Sequence, residues 1–170
     1  RTVDGVRLTF DDEGRGPVVV CLHAIGHGAG DFADLRAHLR DRHRVLALDW
    51  PGQGRSGPDR APPSATRYAE LLARLLDELD IPAAVLIGNS IGGAAALRLA
   101  DRHPNRVRGL VLENPGGLAD TSDRMSQAAI GAMVRFFAAG ARGARWFPAA
   151  FALYYRMVLQ RRAAQAQRQR

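Results

Sequence analysis

The chain has 170 residues, enough for one domain with its own core, since a chain of roughly this size buries about two-thirds of its unfolded surface. Its 24 basic residues are all Arg, and the formal net charge of +7 is local: residues 1–118 carry 15 Arg against 15 acidic residues, whereas residues 119–170 carry nine Arg against Asp120 and Asp123. With no Lys and no basic motif interleaved with aromatics, this excess reads as a solvated helix face and excludes a nucleic-acid partner. Cys21 is the only cysteine, which excludes an internal disulfide and a cysteine-based metal site, and favours a reducing, cytoplasmic setting. No stretch approaches the ~18 apolar residues of a membrane span, and the start lacks the apolar run of a secretory signal. The chain begins at Arg1 rather than Met and ends in Arg, Ala and Gln without a helix stop, so both ends read as cut.

In chain order, Thr2 to Phe10 alternates with a period of two around Asp4-Gly5, which predicts an antiparallel strand pair at a sheet edge. Val18-Val19-Val20-Cys21-Leu22 is a continuous apolar run, as expected of a strand buried on both faces of a parallel sheet. Further such runs are Val45-Leu46-Ala47-Leu48, Ala84-Val85-Leu86-Ile87 and residues 107–112. Between them lie helical spacings: Phe32, Leu35 and Leu39; Tyr68, Leu71, Leu72, Leu75, Leu76 and Leu79; and residues 94–100. This alternation predicts an α/β fold with a mostly parallel sheet and helices on both faces. Functional groups then belong at the carboxyl ends of the strands.

After the third central strand stands Gly88-Asn89-Ser90-Ile91-Gly92-Gly93, with a helix following. A serine in a sharp strand-to-helix turn needs small neighbours two residues before and after, and Gly88 and Gly92 supply them. The turn lifts the hydroxyl clear of the sheet, so Ser90 reads as a nucleophile, and the helix amides from Ile91 onward point at any anion formed there. After the first central strand, His23-Ala24-Ile25-Gly26-His27-Gly28 forms a glycine-rich loop that can turn a second amide toward the same point. Asp49-Trp50-Pro51-Gly52-Gln53-Gly54-Arg55-Ser56 follows the second central strand.

These three segments, each at a strand end and in this order, resemble the α/β-hydrolase family, in its branch of esterases, lipases and carbon–carbon bond hydrolases with a helical cap. The resemblance covers residues 1–118, the N-terminal part of the core, and implies that residues 119–170 begin the cap. By that resemblance Ser90 is the nucleophile, the amides of Ile25 and Ile91 form the oxyanion hole, His23 braces the oxyanion loop, and residues 49–56 are a structural loop. Ala24 departs from the family's usual Gly after the histidine. Ser at position 90 disfavours the branches with an aspartate nucleophile. The seven cap aromatics, Phe136, Phe137, Trp146, Phe147, Phe151, Tyr154 and Tyr155, are expected either to line a substrate pocket or to pack on one another.

A serine hydroxyl needs a histidine base oriented by a carboxylate. In the family that histidine follows the cap, beyond residue 170. Of the five present, His38, His43 and His103 read as surface residues, and His27 shares the oxyanion loop and is poorly placed to serve as base as well. Glu113, after the fourth central strand, is a candidate acid, with a strand-end structural carboxylate as the other reading. The expected function is hydrolysis of carboxylic esters or related acyl compounds through an acyl-enzyme, with a small-molecule substrate, no cofactor and no metal. The alternatives are an acyltransferase or perhydrolase on the same fold, or a non-catalytic ligand-binding homologue.

Overall fold

The computed structural model describes residues 1–116, 124–154 and 156. The chain divides into two compact units, residues 1–119 and 120–170. The boundary expected at 118/119, and Tyr155, lie outside the described residues.

In the first unit, β1 (Thr2–Val3) and β2 (Val6–Arg7) form a two-stranded antiparallel sheet of their own around Asp4 and Gly5, both at positive φ. The main sheet has five strands: β3 (Thr9–Glu13), β4 (Val18–Leu22), β5 (Arg44–Asp49), β6 (Ala84–Asn89) and β7 (Val107–Glu113), in the spatial order β3-β5-β4-β6-β7. All pairings are parallel except β3 with β5. The expected alternating sheet with helices is therefore present, but the hairpin is not its edge. That place belongs to β3, whose Asp11, Asp12 and Glu13 hide the strand from a hydrophobic reading. They are held by arginines instead: Arg36 reaches Asp11 at 2.6 Å and Glu13 at 2.9 Å, and Arg44 grips both oxygens of Asp12 at 2.9 and 2.7 Å.

The period of two in the strands sorts side chains into two cores. Val20 and Leu22 of β4, with Leu46 and Leu48 of β5, face one core, and Val19, Cys21, Val45 and Ala47 face the other. The first core is closed by α2 (Ala65–Glu78) and α3 (Ile91–Arg102), the second by Phe32 and by Leu35 and Leu39 of α1 (Ala33–Leu39). In α2, Tyr68, Leu71, Leu72, Leu75 and Leu76 form one buried stripe. Each such side chain contributes about 1.5–3 kcal/mol through burial. The helix starts where Ser64 Oγ accepts the Arg67 N–H at 3.1 Å, satisfying one of the first-turn donors.

The second unit holds α4 (Arg124–Ala141) and α5 (Phe147–Tyr154). Phe136 packs against Phe147 at a 4.9 Å ring separation and against Trp146 at 5.8 Å, and Phe147 stacks on Phe151 at 5.6 Å. Among the described residues, no helix is long and apolar enough to cross a membrane.

Candidate active site

Ser90 joins β6 to α3 with φ 51° and ψ −113°. A non-glycine residue in this region is strained by about 1–3 kcal/mol and persists only when its surroundings over-determine it. Here they do. The Ser90 N–H donates to the Glu113 carbonyl, and the Ser90 carbonyl accepts from Ala94 and Gly116, all at 3.0 Å. A Cβ on Gly88 would lie 2.6 Å from the Gly93 backbone, and one on Gly92 would lie 2.2 Å from the Leu22 carbonyl oxygen. The requirement for glycine at both positions is thus one of space. Gly93, to which the sequence reading gave no role, is equally confined, since its Cβ would lie 2.8 Å from Pro115 Cβ.

Ile91 is the first residue of α3, so its N–H has no partner one turn back in the helix. Ile25 sits across the neighbouring strand end in the turn 24–27, closed by His27 N–H donating to the Ala24 carbonyl at 3.2 Å. Gly26 takes φ +79° in that turn. Among the described residues, neither the Ile25 nor the Ile91 amide donates to an acceptor. β4 and β6 are adjacent and parallel, with Leu22 opposite Gly88, so both segments leave the same end of the sheet.

His23 is fully buried. Its Nε2 accepts the Trp50 backbone N–H at 2.9 Å, so Nδ1 carries the proton and donates to the Ala24 carbonyl at 2.7 Å. Trp50 Nε1 returns a bond to the His23 carbonyl at 3.0 Å. Burial lowers the His23 pKa below its ordinary 6.5, outweighing the opposite effect of the Ala24 hydrogen bond. With Nε2 accepting from Trp50 and Nδ1 donating to Ala24, both ring nitrogens of His23 are engaged within the two strand-end loops.

Two further ties to the loop 49–56 have no counterpart among the expectations drawn from the sequence. Asp49, also buried, accepts the Ala29 N–H at 2.7 Å and the Arg55 N–H and Nε–H at 3.1 and 3.0 Å. Burial opposes its charge, but these donors prevail and hold its carboxyl below the ordinary carboxylate range. Gln53 Oε1 accepts the Gly26 N–H at 2.6 Å. An Asp followed by closely spaced glycines was the available signal for the first tie, since a Cβ on Gly54 would lie 2.4 Å from the Asp49 carboxylate.

The other sequence candidates are dispersed. Glu113 pairs with Asn89 in the parallel register of β6 and β7, at the Ser90 end of the sheet. Its residue is exposed, and among the described residues no hydrogen bond or ion pair is made by its carboxylate. His27 Nδ1 meets Asp31 Oδ2 at 2.6 Å, with both side chains about half exposed. His38 and His103 are exposed, whereas His43 is partly buried, with an Nδ1 that has no hydrogen-bond partner among the described residues. No group of three or more His, Cys, Asp or Glu among the described residues is arranged to hold a metal. An open groove of about 550 Å³ runs along α3, lined by Ala65, Ile91, Ala94, Leu97, Arg98 and Gly116.

A strained serine at a strand-to-helix turn on a mostly parallel sheet, faced by a glycine-rich loop from the adjacent strand, defines the class. The chain belongs to the alpha/beta hydrolase fold family, whose model matches residues 17–154. It is 36% identical over 118 residues to an uncharacterized protein of Mycobacterium tuberculosis, covering 69% of this chain and 35% of that protein. It is 38% identical over 119 residues to 2-hydroxymuconate semialdehyde hydrolase of a Pseudomonas species, covering 68% of this chain and 42% of the enzyme. Among solved structures it resembles a thermophilic esterase from Thermogutta terrifontis, with a TM-score of 0.65 and 28% identity over 70% of this chain and 46% of that one. The chain thus spans less than half the length of these relatives.

Proposed function

We propose that the chain carries the nucleophile half of a serine hydrolase acting on carboxylic esters or related acyl compounds. Residues 1–118 supply the N-terminal part of the hydrolase core and residues 119–170 begin a helical cap. The observation that carries the reading is the Ser90 backbone: a strained φ of 51° is kept in place by three sterically confined glycines and three main-chain hydrogen bonds. Such strain is retained where it serves a mechanism.

In this reading Ser90 Oγ attacks the acyl carbon. The carbonyl π pair moves to oxygen, and the amides of Ile25 and Ile91 hold that oxyanion. Collapse expels the leaving alcohol with a proton and leaves an acyl-enzyme, and water then cleaves the ester to Ser90 by the same route. The proton moves through a histidine base outside residues 1–170. His23 is unsuited because its Nε2 already accepts from Trp50.

The test is a fluorophosphonate probe on the full protein containing this chain. Ser90 is expected to take the label, and Ser90→Ala to lose both label and esterase turnover. A Ser90→Ala variant keeping more than about one-thousandth of the activity would overturn the acyl-enzyme, because loss of a triad nucleophile costs far more.

A further inference from the structure

The turn that carries the Ile25 amide is gripped on both sides by one loop, and only one grip is the histidine. On the near side Trp50 binds His23 twice, at 2.9 and 3.0 Å. On the far side Gln53 Oε1 takes the Gly26 N–H at 2.6 Å. A backbone N–H can only donate, so the atom facing it is the amide oxygen and Nε2 points the other way. Nε2 donates to the Tyr68 hydroxyl at 3.3 Å. Tyr68 is 2% exposed in the stripe of α2, and its ring stacks on Trp50 with centroids 4.4 Å apart and planes 10° apart. The chain of contacts therefore closes: His23, Trp50, Tyr68, Gln53, Gly26, and back through Ile25 and Ala24.

We infer that Gln53 and Tyr68 are positioning residues, a strut from the hydrophobic core that sets the orientation of the peptide units on either side of Ile25. The inference rests on the oxyanion role proposed above for Ile25. The chemistry selects the residue types. The strut must accept from a main-chain N–H at one end and pair with a hydroxyl at the other, which a carboxamide does without adding negative charge beside the oxyanion and an aliphatic chain does not. The hydroxyl of a buried tyrosine needs a partner, and its ring is already fixed by stacking. Gln53 also spends the Gly26 N–H, so that amide is withdrawn from the oxyanion and the Ile25 amide is left to serve. Within the turn itself one main-chain bond, from the His27 N–H to the Ala24 carbonyl at 3.2 Å, closes the loop. The remaining constraint comes from these side chains.

The test compares Gln53→Met, Tyr68→Phe and the double variant in the full protein. Gln53→Met keeps the length and removes both polar atoms; Tyr68→Phe keeps the stack and removes the hydroxyl. Gln53→Met is expected to lower kcat on p-nitrophenyl butyrate about tenfold, a part of the roughly 10²–10³ lost when an oxyanion donor is removed outright. KM should stay within about twofold, because a misaligned donor weakens the transition state more than the ground state. Affinity for an alkyl boronic acid, whose tetrahedral adduct carries the same negative oxygen, should fall in parallel with kcat. Tyr68→Phe should give a smaller loss of the same kind, and the double variant should match Gln53→Met rather than multiply the two losses, since Tyr68 acts through Gln53. Unchanged kcat and boronate affinity in Gln53→Met, with Ser90→Ala inactive, would overturn the strut and leave the serine-hydrolase reading standing. Multiplicative losses, or losses in KM and melting temperature alone, would reduce the pair to fold support and overturn it equally. Retained turnover in Ser90→Ala would instead remove the reading on which the strut rests. Should Gln53→Met not fold, Tyr68→Phe with the boronate measurement decides by itself.

Discussion

The main-chain amide of Ser90 donates to the carbonyl of Glu113 at 3.0 Å, so the end of β7 helps hold the serine through its backbone. The side chain of Glu113 is a separate matter. A triad acid is buried by the histidine it orients, which in the proposed reading lies outside residues 1–170, so the reading of Glu113 as a strand-end carboxylate rests on its main-chain role alone. Glu113→Gln keeps the main-chain bond and is therefore expected to leave turnover of the full protein within about tenfold, with stability changed by under ~1.5 kcal/mol. A loss near 10⁴, the size seen when an orienting carboxylate becomes an amide, would assign Glu113 as the acid instead.

The strain at Ser90 makes a prediction of opposite sign for stability and reactivity. Glycine adopts φ 51° without a steric penalty, so Ser90→Gly should release the strain of about 1–3 kcal/mol and lose part of it to the greater freedom of the unfolded chain. The expected net gain is about 1 kcal/mol in urea denaturation, alongside complete loss of fluorophosphonate labelling. Ser90→Ala keeps a Cβ and should gain none of this. Equal stability of the two variants would show that the turn is not strained.

Gly92→Ala places a methyl group 2.2 Å from the Leu22 carbonyl oxygen, a main-chain atom in the central strand of the sheet. Neither β4 nor α3 can give way without disturbing its core, so the cost should be about 3 kcal/mol, at the top of the usual range for overpacking. A midpoint unchanged in denaturant would contradict the packing of α3 on β4.

His23 is expected to stay neutral at pH 6.5, where the histidine of an unfolded chain is half protonated. Between its lowered folded pKa and 6.5 the unfolded state binds the extra proton, so the stability contributed by this site is complete above 6.5 and declines as pH falls below it. Nitrogen NMR of the folded protein checks this directly: the spectrum should show protonated Nδ1 and bare Nε2. A half-protonated ring at pH 6.5, or a proton on Nε2, would break the bond from the Trp50 amide and refute the bracing geometry.

The amino-acid sequence by itself determined the buried strands 18–22, 45–48 and 84–87, the stripe of α2 and the glycine-flanked turn at Ser90, because each rests on local causes: a period of two or 3.6, and the space and φ available to a residue between a strand and a helix. Only the tertiary structure decided the edge of the sheet and the support of the site. β3 carries three acidic residues in a row, and they become a strand because Arg36, Arg44 and Arg55 arrive from elsewhere in the chain. Likewise Gln53 lies 27 residues from Gly26, as Trp50 does from His23, and Gly93 is confined by Pro115 of the next strand end. A side-chain hydrogen bond of this reach leaves no periodic trace, since either partner alone is an ordinary loop residue, and its meaning appears when the sheet brings two strand ends side by side.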